Sequence, residues 1–190
     1  MLAQLFYLVL DSLFGFLTLA LLARFFMQWA RAPFRNPLGQ FVVAVTDWLV
    51  KPMRRIIPSA FGFDLASLLS AWFAQLVFHG IVFAVSAAAL GVTPGLVGLL
   101  ALVAALETVR LALYLLFGVI IITALLSWIN PHAPLAPVFN SLARPFLYPL
   151  QRVIPPVGGV DLSPLVLLLG LQVLLSLLAY AKHSLMPMFL

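Results

Sequence analysis

The sequence contains no cysteine and very few charged residues. Five acids and ten lysines or arginines make up 8% of the 190 residues. The absence of cysteine excludes disulfide bonds, thiolate nucleophiles and cysteine-ligated metals. Soluble globular proteins carry about 25% charged residues. The shortage of charge, together with 65% hydrophobic residues and a mean hydropathy of +1.20, therefore indicates an integral membrane protein.

The usual catalytic signatures are missing as well. The sequence has no HExxH motif, no GxSxG motif and no glycine-rich phosphate loop. Two equivalent aspartates, Asp64 and Asp161, are the minimum for an intramembrane aspartyl hydrolase, but acids at the starts of apolar runs suit helix capping better. We therefore expect no enzyme activity, no metal and no cofactor. Because the basic residues gather beside apolar runs, they indicate membrane orientation and not a nucleic-acid partner.

Four apolar runs approach or exceed the length of about 20 residues that a membrane-spanning helix needs. They cover residues 2–23, 65–90, 111–128 and 162–181. The first run lacks a basic leader and a cleavage site, so it is predicted to be a retained span. Residues 96–106 are apolar but too short to cross alone. They either extend the third span into one long tilted helix or lie flat at the interface, and we expect the long helix.

One segment of the sequence occurs twice. KPMRRIIPSAFGFDLASLLS at 51–70 and YPLQRVIPPVGGVDLSPLVL at 148–167 align without a gap, 97 residues apart. The matched pairs of this repeated motif are Pro52/Pro149, Arg55/Arg152, Pro58/Pro155, Gly62/Gly159 and Asp64/Asp161. The chain is therefore predicted to be two repeats, residues 1–95 and 96–190. With two spans each, the repeats should point the same way and be related by a pseudo-twofold axis along the membrane normal.

Each pair of spans is joined by a segment with the pattern of an amphipathic helix, at about 100° per residue. In the first segment the apolar side holds Phe41, Val45, Trp48 and Leu49, and the polar side holds Gln40, Asp47, Lys51 and Arg54. In the second segment the apolar side holds Val138, Phe139, Leu142 and Phe146, and the polar side holds Asn140, Arg144 and Gln151. These helices either lie in the headgroup plane or act as linkers packed on their own spans. Pro52 and Pro149 should kink or end them.

Basic residues fix the predicted orientation. They concentrate in the two connections between paired spans: Arg24, Arg31, Arg35, Lys51, Arg54 and Arg55 in the first, Arg144 and Arg152 in the second. The positive-inside rule then places both amphipathic connections in the cytoplasm and both termini outside.

The repeated motif allows more than one role. Asp64 and Asp161 each precede an apolar run, where an acid accepts free backbone N–H groups and complements the helix dipole. Alternatively, each aspartate pairs with Arg55 or Arg152 and locks the turn, or the two helix starts form a binding site. Arg54 becomes Gln151 in the second copy, so the two motifs should not bind anions equally.

Polar residues inside the spans need partners, because an unpaired charge in hydrocarbon is costly. The set comprises Asp11, Gln75, His79, Glu107, Arg110 and Gln172. We expect an Asp11–Arg110 ion pair between the repeats and a Gln75–Gln172 hydrogen bond across the pseudo-twofold axis. His79 has no counterpart in the second copy, where Ser176 stands, and is more typical of a helix-to-helix hydrogen bond than of a proton relay.

The motif and the segment QWARAPFRNPLGQFVVAVTDWLVKPMRRIIP before Asp64 resemble the YggT family, also called YlmG, over nearly the whole chain. The two-copy form is similar to that of Gram-negative bacteria, which implies a multi-pass inner-membrane protein. The resemblance implies links with osmotic or envelope stress tolerance, potassium or solute uptake, cell division, nucleoid or thylakoid organisation and, in plastids, cytochrome assembly. It supplies no catalytic residue.

Two classes of function follow from these expectations. The first is a non-enzymatic membrane scaffold whose basic cytoplasmic face binds anionic lipids or a protein partner, since each basic residue near an anionic surface adds about 1 kcal/mol. The second is a subunit of a potassium or osmolyte channel or transporter, which would need a homodimer or a larger ring. The scaffold is favoured, because the sequence offers no broken helix with an ion site at mid-membrane.

Overall fold

The structure, a computed structural model, describes residues 2–57, 63–86, 94–154 and 161–185. Its helices in chain order are α1 (Leu2–Trp29), α2 (Pro37–Ile56), α3 (Leu65–Ser86), α4 (Pro94–Ile129), α5 (Ala136–Val153) and α6 (Ser163–Leu185). By length and composition, α1, α3, α4 and α6 are candidates to cross a membrane, as the apolar runs predicted. Residues 96–106 belong to the continuous helix α4, so the expected long helix is what the structure has.

The junction between α1 and α2 is built by local backbone chemistry. α1 ends because Arg31 adopts a left-handed φ of 52° and the Ala32 N–H returns to the carbonyl of Met27 at 2.8 Å. α2 then begins at Pro37, which fits a first helical turn. Asn36 caps it by accepting a hydrogen bond from the Gly39 N–H at 2.9 Å. This short connection places α2 directly against the end of α1.

The prolines of the repeated motif do not end their helices. Pro52 lies inside α2, which continues to Ile56, and Pro149 lies inside α5, which continues to Val153. The sequence predicted a kink or a stop at each proline, and the stop is therefore wrong. In each case the helix still places a further turn of side chains beyond the proline, including Arg54 and Gln151.

The helices pack unequally in the two halves of the chain. α1 packs against α2 and α3, and α4 packs against α5 and α6 in the same order. Between the halves, α3 packs against α4, but in the described residues α6 makes no corresponding contact with α1. A closed pseudo-twofold pair requires both contacts, so the expected symmetry is not what these residues form. Ala71 and Ala74 of α3 are buried in one cluster with Leu21 and Leu22 of α1, whereas α6 carries the larger Leu168 and Leu171 at the equivalent positions.

Candidate functional site

Arg24 is the centre of a buried polar network at the end of α1. Its side chain is only 7% exposed, and its Nη1 donates to Thr46 Oγ1 at 2.8 Å and to Asp47 Oδ1 at 2.8 Å, both on α2. Its Nε lies 3.9 Å from Asp64 Oδ2, at the start of α3. One guanidinium therefore ties three helices together, which satisfies the requirement that a buried charge be paired.

Asp64 receives a second cation from α2. Arg54 Nη2 lies 2.6 Å from Asp64 Oδ2 and also donates to Gln28 Oε1 at 3.1 Å. The Ser67 hydroxyl donates to Asp64 Oδ2 at 2.6 Å, so the completely buried carboxylate is surrounded by donors. Asp64 immediately precedes α3, and the Ser67 N–H approaches its Oδ1 at 3.4 Å. The Asp64 carboxylate therefore both caps α3 and holds α2 against the start of α3.

These contacts stabilise the ionised form of the carboxylates. Burial would raise the pKa of Asp64, but hydrogen bonds from Arg54 and Ser67 outweigh it and hold the pKa below its usual range. A hydrogen bond from Lys51, 2.7 Å away, is the main reason that the pKa of Asp47 is also lowered. The network therefore stays charged at neutral pH, with cations and anions alternating between α1, α2 and α3.

The second half replaces the members of this network. The residues 97 positions after Arg24, Thr46 and Asp47 are Ile121, Ala143 and Arg144. Asp161, the counterpart of Asp64, is exposed and accepts hydrogen bonds from Gln151 Nε2 at 2.7 Å and from the Ser163 N–H at 2.9 Å. Burial would raise the pKa of Asp161, but the bonds from Ser163 and Gln151 lower it. In the described residues, neither Asp161 nor Arg144 belongs to an ion pair.

A cavity of about 480 Å³ occupies this region of the second half. It lies between α4, α5 and α6. Its polar lining comprises Thr123, Ser127, Asn140, Arg144, Gln151 and Asp161. Its apolar lining includes Trp128, Leu147, Leu165 and Leu168. The first half is thus closed by internal ion pairs, whereas the second half presents a cation and an anion to a cavity.

Comparison with known proteins identifies the family. A family model described as CCB3/YggT matches residues 3–85 and 102–181, one stretch in each half. The chain belongs to the CCB3/YggT family. It is 38% identical over 168 residues to the "uncharacterized protein in proC 3'region" of Vibrio alginolyticus, covering 86% of this chain and 88% of that protein. It is 36% identical over 167 residues to the uncharacterized protein YggT of Escherichia coli K12, covering 87% of this chain and 85% of that protein.

A third relative, an uncharacterized protein of Pseudomonas aeruginosa, is 36% identical over 168 residues, covering 87% of this chain and 84% of that protein. No solved structure matches this chain. The cavity and the ion-pair network are therefore the features on which a proposal for what this YggT-family chain binds is based.

The arginines of the repeated YggT motif do not pair with the aspartates. Arg55 and Arg152 are exposed, and Arg152 donates to the Tyr148 hydroxyl and stacks on its ring, 4.2 Å from the centroid. The partners of Asp64 are Arg54 and Arg24 instead, because Arg54 lies on the side of α2 that faces α3. Pro52 and Pro149 are exposed within their helices. Pro58, Gly62, Pro155 and Gly159 lie outside the described residues.

The intramembrane polar residues find partners other than those expected. Arg110 Nη1 bonds to Glu107 Oε1 at 3.2 Å, one turn away, and Lys182 of α6 binds the same carboxylate oxygen. The predicted Asp11–Arg110 pair is therefore wrong. Asp11 is exposed and has no ion pair within the described part of the chain.

The Gln75–Gln172 hydrogen bond is also wrong. Gln75 Nε2 donates to Thr18 Oγ1 of α1 at 2.9 Å, whereas Gln172 is exposed on α6. The position equivalent to Thr18 holds Leu115, which cannot bond to Gln172. His79 packs its ring edge-on against Phe78 at 5.1 Å, and its Nε2 has no hydrogen-bond partner among the described residues.

Sequence reasoning missed the members of the network contributed by α1 and by the first turn of α3, and one member, Thr46, contributed by α2. Arg24, Gln28, Thr46 and Ser67 were not candidate site residues. One signal was present in the sequence, since Arg24 directly follows an apolar run and has no cationic counterpart at Ile121. Within the described ranges, no group of three or more His, Asp or Glu side chains is placed to hold a metal ion.

Proposed function

We propose that this chain is a non-enzymatic inner-membrane scaffold whose helices α2 and α5 lie at the cytoplasmic leaflet and bind anionic lipids or a protein partner. The resemblance to the YggT family supports a role in osmotic or envelope stress tolerance and in membrane organisation. In this proposal the repeated motif serves attachment and surface contact and not catalysis. Asp64 supports that view, because its carboxylate is completely buried and its Oδ2 contacts Arg54, Arg24 and the Ser67 hydroxyl.

The observation that carries this proposal is that α2 buries one side and exposes aromatic and basic side chains together. Gly39, Val42, Thr46 and Val50 are buried against the bundle. Phe41 and Trp48 are 50% and 65% exposed away from that side, and the exposed Lys51 and Arg55 lie beside them on the helix surface. Aromatic side chains beside cations suit the boundary between acyl chains and headgroups. The ion pairs of Arg24 and Arg54 hold this surface in a fixed orientation.

A function as a channel or transporter subunit has less support in the described residues. Glu107 is the buried acid of the outer part of α4, and both Lys182 and Arg110 bind it. Because two protein cations already occupy the Glu107 carboxylate, it does not offer a site to a passing potassium ion. Potassium or osmolyte flux therefore remains the second candidate, to be decided by measurement.

The scaffold proposal predicts that basic residues on α2 and α5 enrich anionic lipid around the protein. The test variant is Lys51→Gln/Arg55→Gln/Arg152→Gln, purified with its surrounding lipid in polymer nanodiscs. Three basic residues at about 1 kcal/mol each contribute about 3 kcal/mol in total, so we expect the phosphatidylglycerol enrichment to be lost. The matched control is Lys51→Arg/Arg55→Lys/Arg152→Lys, which keeps every charge and should keep the enrichment.

Equal lipid composition around the wild type and the glutamine variant would refute anionic-lipid binding by this surface. The same proteins in liposomes test the second candidate. Specific potassium flux that disappears in Asp11→Asn would replace the scaffold with a transport function.

A further inference from the structure

The cavity between α4, α5 and α6 is lined by Arg144 and Asp161, the counterparts of Asp47 and Asp64 in the first half. Arg24 extends from α1 between Asp47 and Asp64 and supplies the internal cation of the first half. At the equivalent position α4 carries Ile121, which offers no charge, and Thr46 becomes the smaller Ala143. Ala143 lines the cavity, so this sequence difference removes side-chain volume there, and the α4 residues that line it, including Thr123 and Ser127, bring no cation.

The charges around the cavity are also rearranged. Asp47 is replaced by Arg144, so α5 now supplies the cation, while Asp161 keeps the carboxylate of the repeated motif. Both side chains line the cavity, both are exposed, and neither has an ion-pair partner in the described residues. Asn140, Arg144, Leu147 and Gln151 form one stripe of α5 along this cavity. A ligand that matches this site carries a negative and a positive group.

The remaining lining indicates that the ligand has an apolar part. Leu147 is buried at the base, and Leu165 of α6 is 57% exposed at the opening. Trp128 lies at the rim, where an indole ring suits the membrane interface. The volume of about 480 Å³ falls in the usual range of small-molecule sites. The cavity has polar and charged side chains on α5 and leucines on α6. A ligand with a polar headgroup and an apolar chain matches this arrangement.

We propose that this cavity binds the headgroup of a phospholipid with a phosphate and a primary ammonium, the chemistry of phosphatidylethanolamine. Arg144, supported by the Asn140 amide, binds the phosphate, and Asp161 accepts hydrogen bonds from the ammonium. The acyl chains leave past Leu165 and Leu168 along α6. This inference rests on the proposed position of α5 at the leaflet, but it uses different residues from the basic surface of Lys51, Arg55 and Arg152.

The test measures phospholipid retention on the delipidated full-length protein by native mass spectrometry. Wild-type protein should retain one phosphatidylethanolamine per chain and bind it about tenfold more tightly than phosphatidylcholine, whose quaternary ammonium cannot donate a hydrogen bond to Asp161. Phosphatidylglycerol should also bind less tightly, because it has no ammonium group. Arg144→Gln and Asp161→Asn should each weaken phosphatidylethanolamine binding by about tenfold.

Two further variants separate loss of the site from loss of the fold. Arg35→Gln removes an exposed cation that does not line the cavity, so it should leave phosphatidylethanolamine affinity unchanged. Ile121→Arg/Arg144→Asp/Gln151→Arg restores the charges that Arg24, Asp47 and Arg54 carry in the first half. This variant should keep the thermal stability of the wild type and lose phosphatidylethanolamine retention, because Arg144 is gone and Asp161 gains internal cations.

Three results would overturn the proposal. The first is equal affinity for the three phospholipids, and the second is unchanged affinity in both Arg144→Gln and Asp161→Asn. The third is competition by glycerophosphoethanolamine as effective as that by the intact lipid, which would assign the same charge pair to a soluble ligand. Anionic-lipid enrichment on α2 can persist in each case, so failure here is distinguishable from failure of the scaffold proposal.

Discussion

Asp64 and Asp161 occupy equivalent positions in the repeated motif but lie in different electrostatic environments. Asp64 is completely buried and contacts Arg54 at 2.6 Å and Arg24 at 3.9 Å. Asp161 is exposed, and its donors are the neutral Gln151 side chain and the Ser163 N–H. The two aspartates are identical in the motif, but they should contribute different amounts to the free energy of unfolding. A measurement on matched substitutions separates the two.

We predict that Asp64→Asn lowers the free energy of unfolding by about 3 kcal/mol, because it leaves Arg24 and Arg54 without the buried carboxylate. Asp161→Asn should cost less than about 1 kcal/mol, since the residue is exposed and asparagine still caps a helix. Unfolding by sodium dodecyl sulfate in detergent without added phospholipid measures both. Equal losses in the two variants would contradict a special role for the buried network.

The stability of the wild type and that of Asp64→Asn should depend differently on pH. The pKa values of Asp64 and Asp47 are lowered in the folded protein. Their contribution to stability is therefore complete above the unfolded-state pKa of about 3.9 and disappears as pH falls through the lower folded-state pKa. Wild-type stability should change little between about pH 7 and about pH 5 and decline below about pH 4. Asp64→Asn should show a shallower decline.

The packing of α2 depends on one glycine at its start. A Cβ at Gly39 would lie 2.6 Å from the Phe34 carbonyl oxygen and 2.8 Å from the Phe34 Cα, both backbone atoms. The second half has Ala136 at the equivalent position, so the need for glycine belongs to the α1–α2 junction and not to the motif. At the scale of the element, this contact sets how closely α2 follows α1.

We predict that Gly39→Ala destabilises the protein by about 1–3 kcal/mol, the usual cost of overpacking. The control is Gly118→Ala in α4, where a Cβ has no neighbour within 4 Å. It should be neutral or stabilising by up to about 1 kcal/mol, because alanine favours a helix. Thermal unfolding followed by circular dichroism compares them, and a Gly39→Ala protein as stable as Gly118→Ala would refute the close contact.

Helix lengths were predictable from the sequence, but side-chain partners were not. The lengths of the apolar runs determined four spans and the continuous helix α4. The Asp11–Arg110 pair was predicted because both residues lie at a similar depth in their spans. Depth does not specify the direction in which each side chain points, and Arg110 instead pairs with Glu107 one turn away. The Arg24 network requires the relative rotation of α1, α2 and α3, which no local pattern specifies. The cavity likewise depends on substitutions whose effect appears only once three helices are placed together.

At the scale of the whole molecule, the orientation of the chain is open to a direct test. The chain has no cysteine, so Arg55→Cys and Arg152→Cys each introduce a single thiol. If α2 and α5 both face the cytoplasm, a membrane-impermeant maleimide should label both in inverted inner-membrane vesicles and neither in spheroplasts. Ser184→Cys, near the end of α6, should show the opposite pattern. Labelling of positions 55 and 152 from different sides would contradict parallel repeats.

The length of α4 couples this molecule to the membrane around it. A helix of 36 residues extends about 54 Å, whereas the hydrocarbon core of a bilayer measures about 30 Å. The resulting hydrophobic mismatch is relieved by inclining α4 or by deforming the surrounding lipid. α4 contacts α1, α3, α5 and α6. A change in bilayer thickness therefore reaches both halves of the protein through this single helix.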